Sequence, residues 1–298
     1  LPGRRAGDGR VTTGTGSIGL ASLNVCCGLS NSLRPVKERA AEFCRRLEHA
    51  DVDIVNFQEV WTPGLQRFLR RHLPSFPFVA RGIGMLGQPA GGLVSFSRTP
   101  LRAVGYVSFR GTRPQAGGPL FRCALALGSS LQGVLTFEVS GRRTVVGNVH
   151  LTANRDGDWS AGNRYEALQS MQLRRVHKVL RKARGGDTEL LIASGDFNLP
   201  SGSALYEAVV DAGAWRDPFA AADLPTFHAE VLPAGAAAYR VDYLLVHGDP
   251  DRYPVTGTEV LFTEPVAMPS GGTALLSDHM AQRATIRLLQ TQYSSRTW

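Results

Sequence analysis

The sequence has only three lysines, Lys37, Lys178 and Lys182, among its 298 residues, so its basic charge is almost all arginine. Cysteine is equally scarce. Cys26, Cys27, Cys44 and Cys123 show no metal-binding spacing, and an oxidising compartment would leave three disulfide pairings open between them. No uninterrupted apolar run approaches the ~18 residues of a membrane-spanning helix. Leu1 to Gly16 is rich in Gly, Arg and Thr and lacks the apolar centre of a secretory leader. A chain that starts at Leu1 rather than Met reads as trimmed, and removal of a leader would make the protein secreted. There is no G-x-S-x-G nucleophile motif, and Gly82-Ile83-Gly84 does not match a P-loop, which argues against serine-hydrolase chemistry and nucleotide binding by those routes.

What remains is a globular composition. At 43% hydrophobic and 19% charged residues, the chain is not disordered, collagen-like or coiled-coil. The net charge of +8 permits an anionic or membrane-surface partner, and arginine suits two-pronged contact with phosphate. No repeat or low-complexity linker divides the chain. The expected organisation is a flexible segment over 1–16, one catalytic domain over 17–290 and a short tail over 291–298.

Hydrophobic patterning predicts strands at Ile18–Val25, Asp53–Glu59, Leu190–Ser194, Val241–Val246 and Ala284–Leu289. Between Gly92 and Leu151 come further β-like runs: Leu93–Ser97, Ala103–Phe109, Leu120–Leu127, Val134–Val139 and Thr144–Leu151. Helices are predicted after Pro35, with Val36, Ala40, Phe43, Leu47 and Ala50 on one face, and at Thr62–His72, Gly162–Arg184 and Gly202–Ala212. In the longest, Gln172 falls in the middle of the apolar stripe and must find a buried partner. Strands outnumber helices, and helices separate only some of them. That order predicts an α+β fold, a four-layer α/β/β/α sandwich of two packed β-sheets with helices outside.

Short polar clusters sit at the ends of these apolar strands: Asn24; Gln58-Glu59; Asn148 and His150; Gly195-Asp196-Phe197-Asn198; Arg240-Val241-Asp242; and Ser277-Asp278-His279. Singly, each has an ordinary explanation. Asn24 can cap a turn, Glu59 can be a first-turn acid favoured by a helix dipole, and Gly195-Asp196 can be turn chemistry. Together, six strand ends offering carboxylates, amides and imidazoles suit a phosphate site. Glu59 is a hard oxygen ligand, and Mg²⁺ takes only one or two carboxylates. Asp196 and Asn198 point the same way if the chain there is extended, and can hold a water and a phosphate oxygen. His279 is a candidate general base whose tautomer Asp242 or Asp278 can fix.

In this order the clusters resemble the endonuclease/exonuclease/phosphatase superfamily, whose fold is deoxyribonuclease I-like. Within it, Phe57-Gln58-Glu59-Val60-Trp61, Phe76-Pro77-Phe78, Gly91-Gly92-Leu93-Val94-Ser95-Phe96-Ser97 and His150-Leu151-Thr152-Ala153-Asn154, the last followed by a helix with Arg164 and Gln172, are most similar to the neutral sphingomyelinase branch. The resemblance implies a Mg²⁺-dependent phosphodiesterase of phospholipase C type, with Mn²⁺, Co²⁺ or Ca²⁺ as substitute ions. It would convert sphingomyelin or a related phospholipid at a membrane surface into ceramide or diacylglycerol and a phosphorylated head group. It also implies metal ligation by Glu59 with support from Asp278, water activation by His279 with Asp196 and Asn198, and phosphate contacts from His150 and Asn24. Asp242 would help protonate or orient the leaving alkoxide. The alternatives are a secreted Mg²⁺-dependent endonuclease acting on nucleic acid and, below it, a non-catalytic lipid-binding module; no protein partner is inferred. By spacing, the acidic partner that nuclease members give the histidine equivalent to His150 has no counterpart. The aromatic hairpin that some bacterial members press into membranes is not evident either, leaving Trp61, Trp159, Phe262 and Met268 as candidate interfacial residues.

Overall fold

The computed structural model describes residues 16–28, 33–213, 215–232 and 235–289. The expected flexible segment, apart from Gly16, and the expected tail lie outside the described residues.

A six-stranded sheet has the order β10-β13-β1-β2-β4-β3, with β1 at Gly16–Asn24, β2 at Ile54–Gln58, β3 at Phe78–Ile83, β4 at Pro89–Ser97, β10 at Val255–Leu261 and β13 at Ala281–Leu288. A five-stranded sheet has the order β5-β6-β7-β8-β9, with β5 at Leu101–Ser108, β6 at Gly133–Val139, β7 at Thr144–His150, β8 at Leu190–Asp196 and β9 at Asp242–His247. β11 (Val266–Ala267) and β12 (Thr273–Ala274) form a small separate ribbon. In each large sheet one pair is parallel, β1 with β2 and β7 with β8, and the other neighbours are antiparallel.

Helices α1 (Val36–Glu48) and α2 (Pro63–His72) cover the outer face of the six-stranded sheet, where Phe43, Leu47 and Leu69 cluster with Leu23, Phe57 and Phe96. Helices α4 (Glu166–Ala183) and α5 (Ala204–Gly213) cover the other sheet, where Leu173, Val176 and Leu180 cluster with Val145, Val149 and Leu191. The four-layer order is the one expected. Local chemistry sets the helix starts: Pro63 opens α2, and the Thr62 hydroxyl accepts the Leu65 N–H at 3.1 Å.

The inner faces of the sheets meet in one core, which includes Ile18, Leu20, Ile54, Val146, Ile192 and Leu244. Side chains alternate along a strand, so the same inner face continues along β1 as Ser22 and Asn24, and along β2 as Asn56 and Gln58. On β7 it continues as Asn148 and His150, and on β8 as Ser194 and Asp196. Thus the core is apolar at one end and polar at the other. Both parallel pairs direct their carboxyl ends to the polar end.

The β-like reading of Leu120–Leu127 is corrected: this segment lies in helix α3, Pro119–Ser130. Proline at the first position and a run of Leu and Ala favour the helix, while the nearly continuous apolar stretch hides its period. Helix α4 begins at Glu166 rather than Gly162, because Asn163 makes a turn, its N–H bonding the Ser160 carbonyl and its Oδ1 accepting the Tyr165 N–H. Strands β3 and β10 are sheet edges that the patterning did not predict; β10 is largely exposed and so carries no strong alternation. All four cysteines are free thiols.

Gly195 lies within β8 rather than in a turn. Its φ is +141°, and a Cβ there would stand 2.0 Å from the Val149 carbonyl oxygen across the β7–β8 pair. Gly195→Ala is expected to force the pair apart at the row that holds His150 and Asp196. The expected cost is about 3 kcal/mol or more, read as a lowered Tm by differential scanning calorimetry.

Candidate active site

Strand register alone assembles half of the site. His150 of β7 lies opposite Asp196 of β8, which lies opposite Asp242 of β9. On the facing sheet Asn24 of β1 lies opposite Gln58 of β2, one residue before Glu59. His279 arrives from the segment before β13, where it pairs with Phe227 in an isolated bridge.

Asp196 Oδ2 is where the groups meet. Asn24 Nδ2 donates to it at 2.9 Å, and the Nε2 atoms of His150 and His279 stand 3.7 and 3.8 Å away. The histidine distances exceed a direct hydrogen bond. Asp196 Oδ1 accepts the Asn198 N–H at 2.9 Å. His279 Nδ1 is 2.8 Å from Asp242 Oδ2, so of the two carboxylates able to fix its tautomer it is Asp242 that does so, leaving Nε2 toward Asp196. Asn24 Nδ2 also reaches Glu59 Oε1 at 3.4 Å, which ties the partly exposed Glu59 to the same cluster.

Residues 21–279 match the endonuclease/exonuclease/phosphatase family. The chain belongs to this family. No curated protein matches the chain. Among solved structures, sphingomyelinase C from Streptomyces griseocarneus is 20% identical, with 91% of this chain and 99% of that chain covered and a TM-score of 0.63. A mutant beta toxin from Staphylococcus aureus with bound magnesium ions is 16% identical (90% and 99% covered, TM-score 0.65). D. rerio TDP2 complexed with single strand DNA product is 17% identical (91% and 98% covered, TM-score 0.63). At these identities the likeness is one of fold, deoxyribonuclease I-like.

Within this family member the titrating groups are strongly perturbed. Burial pushes the Asp196 carboxyl up to about 7, with Asp242 and Glu59 acting in the same direction against His279 and Asn24. Burial depresses the His150 imidazole to about 4, so it is neutral near pH 7. Burial would also depress His279, but Asp242 and Asp196 outweigh it and raise the imidazole well above its ordinary value.

Which residues fit a divalent ion follows from their remaining capacity. Asp196, Asp242 and His279 have ligand atoms within 4.8 Å of one another. Within this group His279 Nδ1 is bonded to Asp242 and Asp196 Oδ2 accepts from Asn24, which leaves His279 Nε2 free. Glu59, beside the Asn24 amide, offers a hard carboxylate with room for water, which suits Mg²⁺. Asp278 is directed elsewhere: it accepts from Ser277 Oγ at 3.2 Å and lies against the Cys26 thiol, whose pKa burial and Asp278 both raise.

Two expectations change in detail. Asn198 is not in an extended stretch: its φ is +50°, and its Nδ2 donates to the Leu151 carbonyl at 3.0 Å, so it shares Asp196 through its backbone rather than side by side. Phe262 and Met268 are buried in the core of the first sheet, which removes them as interfacial candidates, whereas Trp61 packs its ring 6.2 Å from that of His150.

Other residues escaped the sequence reading. Arg39, fully buried, donates to the carbonyls of Arg34, Val25, Cys26 and Leu276, clamping the loop after Asn24 to the one before Ser277. Its place on the buried face of α1 was the only available signal. Thr226 Oγ1 accepts the N–H groups of Val241 and Asp242, both at 3.0 Å. Gln172, whose need for a buried partner was read from the sequence, finds it in the loop after His150, accepting the Thr152 N–H at 3.0 Å, while the unforeseen Gln169 donates to the carbonyls of Thr152 and Asn198. Arg39→Ala would leave several buried carbonyls without a donor and is expected to cost on the order of 3 kcal/mol, measured by urea unfolding.

Proposed function

We propose that the chain is a Mg²⁺-dependent phosphodiesterase of phospholipase C type that hydrolyses sphingomyelin or a closely related phospholipid. The observation that carries this reading is the convergence of Asn24, His150 and His279 on Asp196 Oδ2, with His279 oriented by Asp242. Such an arrangement activates a water and neutralises a phosphate without a protein nucleophile.

In this reading the unprotonated form of His279, whose share grows as pH rises, takes a proton at Nε2 from a water beside Asp196 and Asn198, while its Nδ1–H stays bonded to Asp242. The water oxygen bonds to phosphorus as the phosphorus–oxygen bond to the lipid alcohol breaks. The departing alkoxide takes a proton from surrounding water, and the hydroxide left takes the one on His279 Nε2, giving ceramide and a phosphorylated head group and restoring the base. Asn24 and neutral His150 donate to the phosphoryl oxygens, where charge accumulates. Glu59 would hold the Mg²⁺, which when bound supplies charge that polarises the phosphoryl group.

The lipid reading over the nucleic-acid one is supported by His150. Its buried Nδ1 has no hydrogen-bond partner among the described residues, where the nuclease pattern would have a carboxylate. The second reading, a nuclease, is supported by the net charge of +8 and by the fold shared with TDP2, solved with a DNA product.

With Mg²⁺, the protein is expected to release phosphocholine from sphingomyelin vesicles and to stop when EDTA is added. Nicking of plasmid DNA without phosphocholine release would favour the nuclease instead. His279→Ala is expected to lower turnover by about 10²–10⁴-fold with the fold intact by circular dichroism. Glu59→Gln is expected to raise the Mg²⁺ concentration for half-maximal activity by about tenfold or more, with little change in Tm.

A further inference from the structure

Large exposed apolar side chains are concentrated on one part of the surface. Eight of the ten found among the described residues fall between Ile83 and Leu131. Two protrusions carry most of them. The tip joining β3 to β4 exposes Ile83, Met85 and Leu86, with Met85 fully exposed and Leu86 87% exposed. Helix α3 exposes Leu120 (87%) and Leu127 (65%), and Leu131 follows it on the same face. These three recur at i, i+7 and i+11, so the apolar stripe of α3 faces solvent instead of the core. The inward side of α3 is fastened to the site: Ser129 Oγ accepts from Gln172 Nε2 at 3.2 Å and lies 3.3 Å from Thr152 Oγ1, two residues after His150.

The β3–β4 tip stands at the same end. Strand β4 runs from it to Gly92, whose Cα lies close beneath the Trp61 ring, and Trp61 faces His150. Tyr106 joins the two protrusions, packing under Gly82 and Gly91 of the hairpin while its hydroxyl donates to the Gln132 carbonyl just after α3. The charge of this region is one-sided. From Glu59 to Glu138 the sequence contains no other acidic residue and nine arginines. Of these, Arg110, Arg113 and Arg122 are exposed and make no ion pair among the described residues.

We infer that α3 and the β3–β4 tip form the surface by which the protein seats its catalytic end on a phospholipid bilayer bearing anionic lipid. The inference rests on the phospholipase reading above and names how that site meets its substrate. Two exposed apolar projections, with the unpaired Arg110, Arg113 and Arg122 in or just before α3, suit a fluid interface, which moulds around leucine and methionine while its head groups meet the guanidinium groups. The arrangement also puts the insertion points beside His150, so that a lipid need only rise partly from its layer to reach Asp196.

The test compares wild type with Leu120→Asp/Leu127→Asp and, independently, Met85→Asp/Leu86→Asp. All these positions are exposed, so folding is expected to survive and is checked by Tm. Co-sedimentation is measured in EDTA, without turnover, on vesicles of sphingomyelin and phosphatidylcholine with and without phosphatidylserine. Turnover of the water-soluble diester bis-p-nitrophenyl phosphate is measured with Mg²⁺. The expected result is wild-type binding that grows with phosphatidylserine and weakens with salt. Each double variant should partition about tenfold more weakly, with turnover of the soluble diester unchanged. Variants that partition like wild type would overturn the inference while leaving the phospholipase reading intact. So would a wild-type dimer, seen by sedimentation equilibrium, that either variant dissociates, because a second copy would then be the occupant. Absence of phosphocholine release from detergent-dispersed sphingomyelin would instead overturn the phospholipase reading, and this inference with it.

Discussion

The buried carboxylate of Asp196 is the group around which the functional end of the molecule is organised. An unpaired carboxylate removed from water is very costly, so its charge must be met by fixed dipoles or its proton retained. The fold does some of each. The Asn198 N–H and the Asn24 amide bond its two oxygens, two imidazoles stand within 4 Å, and the remaining cost appears as a pKa near neutrality. Because Asn24 and Asp196 belong to different sheets, the hydrogen bond between them is also a contact that fixes one sheet against the other.

Beneath this row lies a second polar layer that holds the first in place. Asn56 donates to Ser194 Oγ across the sheets at 2.8 Å, and Gln58 donates to Asn148 Oδ1 at 2.8 Å. Asn148 in turn donates to the Phe57 carbonyl at 3.1 Å. A core of leucine and valine at these positions would bind the sheets more tightly but would leave the row above it without directional support. Some backbone strain falls at this end: Glu59 and Asn198, each directly beyond a strand or its end, adopt left-handed φ of +64° and +50°. The apolar half of the core carries the stability that tolerates these costs.

Polar pit and apolar rim are physically complementary. The groups that would handle phosphate are buried between the sheets, while the residues that would meet a lipid surface lie on helix α3 and a hairpin outside them. The two are joined by a few contacts, Ser129 to Thr152 and Gln172, and Trp61 to His150.

Most of the chain order of the elements, apart from β3, β10 and α3, and the residue types of the site were legible in the sequence, because both follow from local rules. Apolar runs with period two or 3.6 mark strands and helices, and an amide, carboxylate or imidazole ending an apolar strand stands out. Asn24, Glu59, His150, Asp196, Asp242 and His279 were visible for this reason. What only the tertiary structure decided were the relations between residues far apart in the chain. Asp242, not Asp278, holds His279; Asn198 acts on Asp196 through its backbone; Arg39 and Thr226 brace loops that no spacing connects to them. The apolar stripe of α3 belongs to the same class: Leu120–Leu127 is a nearly continuous apolar run, and nothing local distinguishes a leucine turned inward from one turned to solvent. That choice depends on which face meets the rest of the fold, and Ser129, the polar residue that anchors α3, finds its partners only once β7 and α4 are in place.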